Sequence, residues 1–158
     1  RPLGRASIGV RGIRVKSGDE VVEMDIIKDP ENTELLVMME NGLGKMTQIQ
    51  DYRFQSRGGS GVKTANITTK TGRIIGAKTI GKDTNGDLII ISKSGQTIRL
   101  HTKHIPSQGR ATQGVYLMRM KLNDKVASIS LIENVAGEEE QSSEEEETLV
   151  ATETSPVT

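Results

Sequence analysis

The sequence repeats itself with a period of about 53 residues, and no other feature restricts the fold as much. Three segments align without gaps: GRASIGVRGIRV (4–15), SRGGSGVKTANI (56–67) and GRATQGVYLMRM (109–120). Arg5, Arg57 and Arg110 correspond, as do Gly9, Gly61 and Gly114 and then Val10, Val62 and Val115. A second block follows each at matching distance: GDEVVEMDII (18–27), TGRIIGAKTI (71–80) and NDKVASISLI (123–132). A third occurs twice, as TELLVMMENGLGKM (33–46) and GDLIIISKSGQTIR (86–99). The chain therefore divides into full repeats at 1–53 and 54–106, a partial repeat at 107–136, and a remainder at 137–158.

Within a repeat the pattern is β. Met118 to Leu122 alternates apolar and basic residues, as a half-buried strand does. Leu88 to Ile91 is a short apolar run, expected as a strand covered on both faces. Asn41-Gly42 and Ser94-Gly95 follow such runs and read as hairpin turns. No amphipathic helical stretch carries convincing caps. About four strands per period imply an all-β array of four-stranded blades, propeller-like in construction.

The formal charge is zero, but it is unevenly placed. Residues 137–158 hold eight glutamates and no base, which leaves 21 basic against 13 acidic residues in 1–136, a body of charge +8. Such a body suits a polyanionic partner. The segment GEEEQSSEEEE, by contrast, has too little apolar surface to fold and is expected to be a disordered acidic tail. The chain opens on Arg1 with no apolar export segment behind it, so it reads as a fragment. No apolar run approaches the roughly 20 residues that span a bilayer, so no membrane partner is expected. Without cysteine there is no disulfide framework and no thiolate metal site, in keeping with a reducing cytoplasm.

The recurring arginine is the candidate functional feature. A glycine following it at the start of a strand is explained by a tight turn or bulge, and Gly9, Gly58, Gly59, Gly61 and Gly114 are assigned to such turns. A turn needs no cation, however. Arg5, Arg57 and Arg110 beside exposed backbone N–H groups suggest phosphate contacts. Thr97 to Lys103 alternates again and is expected to place Arg99, His101 and Lys103 on one strand face, where a merely solvated face is the plainer reading. His101 and His104, three apart on a strand, would point oppositely, so no metal site is expected. No nucleophile elbow, P-loop or carboxylate pair is present, so no catalytic residue is assigned. Tyr52-Arg53-Phe54 could stack on bases, although packing explains isolated aromatics as well.

The stretch QSRGGSG (55–61) resembles the Q-R-R-G-G-K-G box of the bacterial DNA gyrase A C-terminal domain family, with Ser56 and Ser60 replacing its basic residues. RPLGRASIGVRGI, ENGLGKMT, DYRFQSRGGSGVKT, ISKSGQTIRL and GRATQGVYLMRM, ahead of an acidic tail, are similar to the end of that domain in order, over residues 1–133. The resemblance implies a β-pinwheel fragment, a propeller-like ring whose neighbouring blades exchange strands. It also implies double-stranded DNA as partner, wrapped on a basic rim, within a complex of two A and two B subunits that supercoils DNA with ATP in the cytoplasm, at the nucleoid. ATP and magnesium would bind outside this chain, which is expected to hold no cofactor. Arg5, Arg11, Lys45, Arg57, Lys63, Arg99, Lys103 and Arg110 are the expected DNA contacts. Met46 stands where the family often carries a further base. The corresponding domain of topoisomerase IV, or a propeller-like scaffold for proteins, are the alternatives.

Overall fold

A computed structural model of the 158-residue chain describes residues 3–133. The expected tail at 137–158 lies outside these residues. The fold is all-β, as the patterning implies. Its strands are β1 (Thr33–Met39), β2 (Leu43–Gln48), β3 (Ile74–Gly81), β4 (Gly86–Ser92), β5 (Thr97–His101), β6 (Val115–Tyr116) and β7 (Val126–Glu133). Single 3-10 turns, Ile49–Asp51 and Thr102–His104, follow β2 and β5.

Two hairpins organise the sheets. β1–β2 turns at Asn41-Gly42 and β4–β5 at Ser94-Gly95, and both glycines sit at φ 86°. A left-handed residue at this place matches the right-handed twist of the strands, which is why Asn-Gly and Ser-Gly mark the turns in the sequence. Each hairpin then accepts a strand from the following repeat: β3 pairs with β1 and β7 with β4, both antiparallel. The first sheet runs β3-β1-β2-β6 and the second β5-β4-β7. The sheets are quasi-equivalent in detail. Bulges fall between Met38 and Met39 in one and between Ile91 and Ser92 in the other. The Glu40 N–H donates to Arg73 O at 2.8 Å, and the Lys93 N–H to Lys125 O at the same distance.

Sheets and repeats therefore do not coincide. The first sheet draws β1 and β2 from 1–53, β3 from 54–106 and β6 from 107–136. Residues 21–28, the counterparts of β3 and β7 in the first repeat, form no strand and leave Val21, Met24 and Ile26 exposed. No hairpin precedes them among the described residues, so their ladder groups have no backbone partner there.

The core lies between the two sheets: Leu36, Met38, Met46, Ile80, Leu88, Ile90, Ile105, Met118 and Val126 form one buried cluster. Aliphatic and thioether side chains fill it in the near absence of aromatics. Each fully buried member contributes roughly 1.5–3 kcal/mol from removal of apolar area from water.

Two local expectations need correction. Leu88 to Ile91 is not covered on both faces, because Leu88 and Ile90 are inaccessible while Ile91 is exposed. β4 is flanked by strands at both edges, but the face carrying Asp87, Ile89 and Ile91 goes from buried to exposed along the strand. Met118 to Leu122 is not a strand: the N–H groups of Leu117 and Met118 both donate to Gly42 O, which bends the chain away from a ladder. Met118 is buried there and Leu122 is almost wholly exposed.

Candidate nucleic-acid interface

The recurring arginines occupy one place in the backbone, although the second turn has a left-handed residue, Gly58, after its arginine where the first and third have Ala6 and Ala111 in ordinary conformations. In each repeat the arginine is the second residue of a four-residue turn closed by a backbone hydrogen bond. Ser7 N–H donates to Gly4 O at 3.1 Å, Gly59 N–H to Ser56 O at 3.4 Å, and Thr112 N–H to Gly109 O at 3.2 Å. Two residues beyond the turn stands the glycine, at φ 81° for Gly9, 77° for Gly61 and 79° for Gly114. An L-residue adopts this backbone only with strain, so its recurrence in the sequence has a steric cause. Gly58 is also left-handed, at φ 72°, but Gly59 is not. Gly59 closes its turn as Ser7 and Thr112 do, so its position does not demand glycine.

The second and third turns are strapped from the preceding repeat. Arg14 N–H donates to Gly59 O at 2.8 Å, and Asn66 N–H to Thr112 O at 3.0 Å. Loops that would otherwise fray are thereby held at defined places, which is what a recurring charged contact requires.

The candidate cations differ in how free they are. Arg5, Arg11 and Arg57 are exposed. Lys63 is exposed too, with its ammonium on Asn66 Oδ1 at 3.1 Å, and Lys103 is exposed in the second 3-10 turn. Arg110 is half-buried: its guanidinium lies 5.8 Å from the Tyr52 ring centroid and one Nη donates to Lys63 O at 3.2 Å. Most of its five donors remain available. Tyr52 is thus packed beneath Arg110, with its hydroxyl on that of Thr64, whereas Phe54 is almost fully exposed.

Two cations depart from the sequence reading. Arg99 pairs with the carboxylate of Asp87, Nε to Oδ2 at 2.7 Å, so its charge is already offset although the side chain is two-thirds exposed. Lys45 is inaccessible to solvent. Its ammonium donates to Gly109 O and Arg110 O, each at 2.7 Å, and to Thr112 Oγ1 at 3.1 Å. Burial, and then the positive charge of Arg110, push Lys45 below the ordinary lysine value, against a smaller upward pull from Asp51. Lys45 therefore offers no free ammonium to a phosphate. The sequence does contain a signal for this: its counterpart 53 positions on is Ile98, which packs against the core.

The strand face at Arg99 also changes. His101 ends β5, and the chain turns before Lys103, so the alternation stops. The rings of His101 and His104 consequently lie 5.9 Å apart rather than on opposite faces. No group of three or more candidate ligands for a metal occurs among the described residues. Nor is any helix among them long and apolar enough to cross a membrane.

The family model described as "DNA gyrase C-terminal domain, beta-propeller" matches residues 1–28, 33–80 and 86–133. Its last two segments begin with hairpins β1–β2 and β4–β5 and run on to β3 and β7, so the unit of the family is the strand-exchanged sheet rather than the raw period. The DNA gyrase A protein of Staphylococcus aureus strain MRSA252 is 41% identical over 141 residues, 89% of this chain and 16% of the relative. Its equivalent in strain NCTC 8325 / PS 47 is 40% identical over 151 residues, 96% of this chain and 17% of the relative. The chain thus spans under a fifth of those relatives' length. Among solved structures, a DNA gyrase A C-terminal domain superposes with TM-score 0.71 at 27% identity, over 84% of this chain and 44% of the other. A topoisomerase IV C-terminal domain gives 0.71 at 19%, over 79% and 38%, a likeness of fold alone. With its sheets, turns and repeat units matched along most of its length, the chain belongs to the DNA gyrase C-terminal β-propeller family.

Proposed function

We propose that the chain is a DNA-contacting part of a gyrase A C-terminal domain, binding double-stranded DNA through its phosphates and wrapping it. One observation carries this reading: an arginine is the second residue of a four-residue, hydrogen-bonded turn in three successive repeats. Phosphates recur at regular intervals along a duplex, so a structural repeat bearing one cation per unit is suited to track them. The body charge of +8 over residues 1–136 points the same way. The finer proposal is that wrapping presents a DNA segment of fixed handedness to an enzyme of two A and two B subunits, which supercoils DNA using ATP and magnesium bound outside this chain. In the cell this places the chain in the cytoplasm, at the nucleoid.

Two measurements on the complete protein carrying this chain test the reading. DNA affinity should fall steeply between low and moderate salt, whereas a protein-interaction scaffold would show weak, salt-insensitive binding. Relaxing closed-circular DNA in its presence should leave a change in linking number. Binding without such a change would remove wrapping from the account.

A further inference from the structure

Lys45 is a buried cation, and no carboxylate among the described residues forms an ion pair with it, Asp51 acting only from farther off. Its three N–H donors are all consumed by oxygens of one turn more than 60 residues away in the chain: Gly109 O, Arg110 O and Thr112 Oγ1. Burying an ammonium costs several kcal/mol even after relaxation, and it persists only where oxygens replace its water. The neighbouring residues of β2 hold the same segment. Thr47 Oγ1 donates to Gln108 O at 2.9 Å, Met46 N–H to Pro106 O at 3.0 Å, and Gln108 N–H to Met46 O at 2.8 Å.

The consequence for the turn follows from peptide geometry. In a trans peptide the C=O and N–H of one unit point in opposite directions. With the carbonyls of Gly109 and Arg110 drawn inward onto the ammonium, the N–H groups of Arg110 and Ala111 point outward. Neither N–H has a hydrogen-bond partner among the described residues, and Gly109, Ala111 and Thr112 are exposed. Adjacent outward N–H groups beside a guanidinium make a concavity suited to an anion. Both linked peptide units are polarised by the cation behind them, which favours negative charge in front.

We propose that Lys45 is a positioning residue for phosphate recognition: its ammonium, bound to the inward carbonyls of Gly109 and Arg110, holds the turn so that Arg110 and the adjacent N–H groups face the DNA backbone. This rests on the DNA-binding reading above and adds a residue that touches no DNA. It also couples β2 of the first repeat to the arginine of the third, so that a phosphate contact depends on how the repeats are stacked.

The test is a double-mutant cycle in the complete protein, reading affinity for a duplex against salt. Loss of one phosphate contact reduces the slope of log K against log salt by about 0.9, a factor of about eight at 0.1 M salt relative to 1 M. Lys45→Met should cost close to this factor in the native background and little in an Arg110→Ala background, because both changes remove the same contact. Lys45→Arg, which keeps a charge and donors, should recover part of the loss. Hydrogen exchange across residues 108–112 should accelerate in Lys45→Met while the rest of the sheet stays protected. If Lys45→Met fails to fold, Thr112→Val removes one of the three oxygens from an exposed residue, and its loss of affinity should likewise vanish beside Arg110→Ala. An additive loss in the Arg110→Ala background would overturn the proposal, as would unchanged affinity in folded Lys45→Met. In either case the DNA-binding reading would survive, since Arg110→Ala alone reports on it. If Arg110→Ala itself costs nothing, the third turn is not a contact and the proposal falls with that part of the reading.

Discussion

Replacing Gly114 with alanine should destabilise the domain more than the same change at its counterpart Gly61. Both glycines have nearly the same left-handed backbone, φ 79° and 77°. An L-residue pays about 1–2 kcal/mol for that conformation. Their surroundings differ. A Cβ on Gly114 would lie 2.6 Å from Gly44 O and 2.9 Å from Gly44 C, whereas on Gly61 it would meet only the Ile13 Cδ1 at 3.6 Å. The Gly114 contact is backbone against backbone, where β6 pairs Val115 with Gly44 of β2, so no side chain can swing aside. Overpacking of this kind costs a further 1–3 kcal/mol, giving about 2–5 kcal/mol for Gly114→Ala against about 1–2 for Gly61→Ala. With a urea m-value of about 2 kcal/mol/M, the midpoint of Gly114→Ala should fall below that of Gly61→Ala by about 0.5–1.5 M. Equal midpoints would refute the argument that close approach, and not the turn conformation alone, demands glycine at 114.

Three further outcomes follow. The hydroxyls of Ser94 and Ser92, and to a lesser degree the N–H groups of Lys125 at 2.8 Å and Ser94 at 3.1 Å, hold the Asp124 pKa at about 2 against an ordinary 3.8. The depressed folded value stabilises above pH 3.8 and is lost as pH falls towards 2, so Asp124→Asn should flatten acid unfolding in that window. Arg99→Ala should reduce the salt slope of DNA binding by clearly less than about 0.9, because Asp87 already offsets its charge; a full loss of about 0.9 would show that the pair opens on DNA. Truncation after Val135 removes all eight glutamates of residues 137–158 and should tighten DNA binding at low salt, with a gain that fades as salt rises; equal affinities would leave those residues a solubilising role.

Much of this was legible in the residues. Hairpin turns announced themselves as Asn41-Gly42 and Ser94-Gly95, since few residues tolerate their backbone. The arginine turns did so by recurrence. Strand exchange was not legible from periodicity, because a repeat shows which segments are strands but not which period supplies each partner; β3 and β7 look the same in either arrangement. A lone Leu-Gly-Lys-Met-Thr strand reads as half solvated, yet β2 is covered on both faces, with Met46 in the core cluster and Lys45 and Thr47 against residues 108–112. That covering is what buries Lys45 and converts an expected rim cation into an internal support. Arg99 was likewise placed by alternation, which cannot reveal that Asp87 on the adjacent strand lies within reach.

The central claim is that the arginine turns contact phosphates rather than bases. The direct measurement is log K against log salt for two duplexes of unrelated sequence, bound by the complete protein and by its Arg57→Ala and Arg110→Ala variants. Each substitution should lower the slope by about 0.9, and the pair by about 1.8, equally on both duplexes. Unchanged slopes, or a loss confined to one duplex, would contradict the claim.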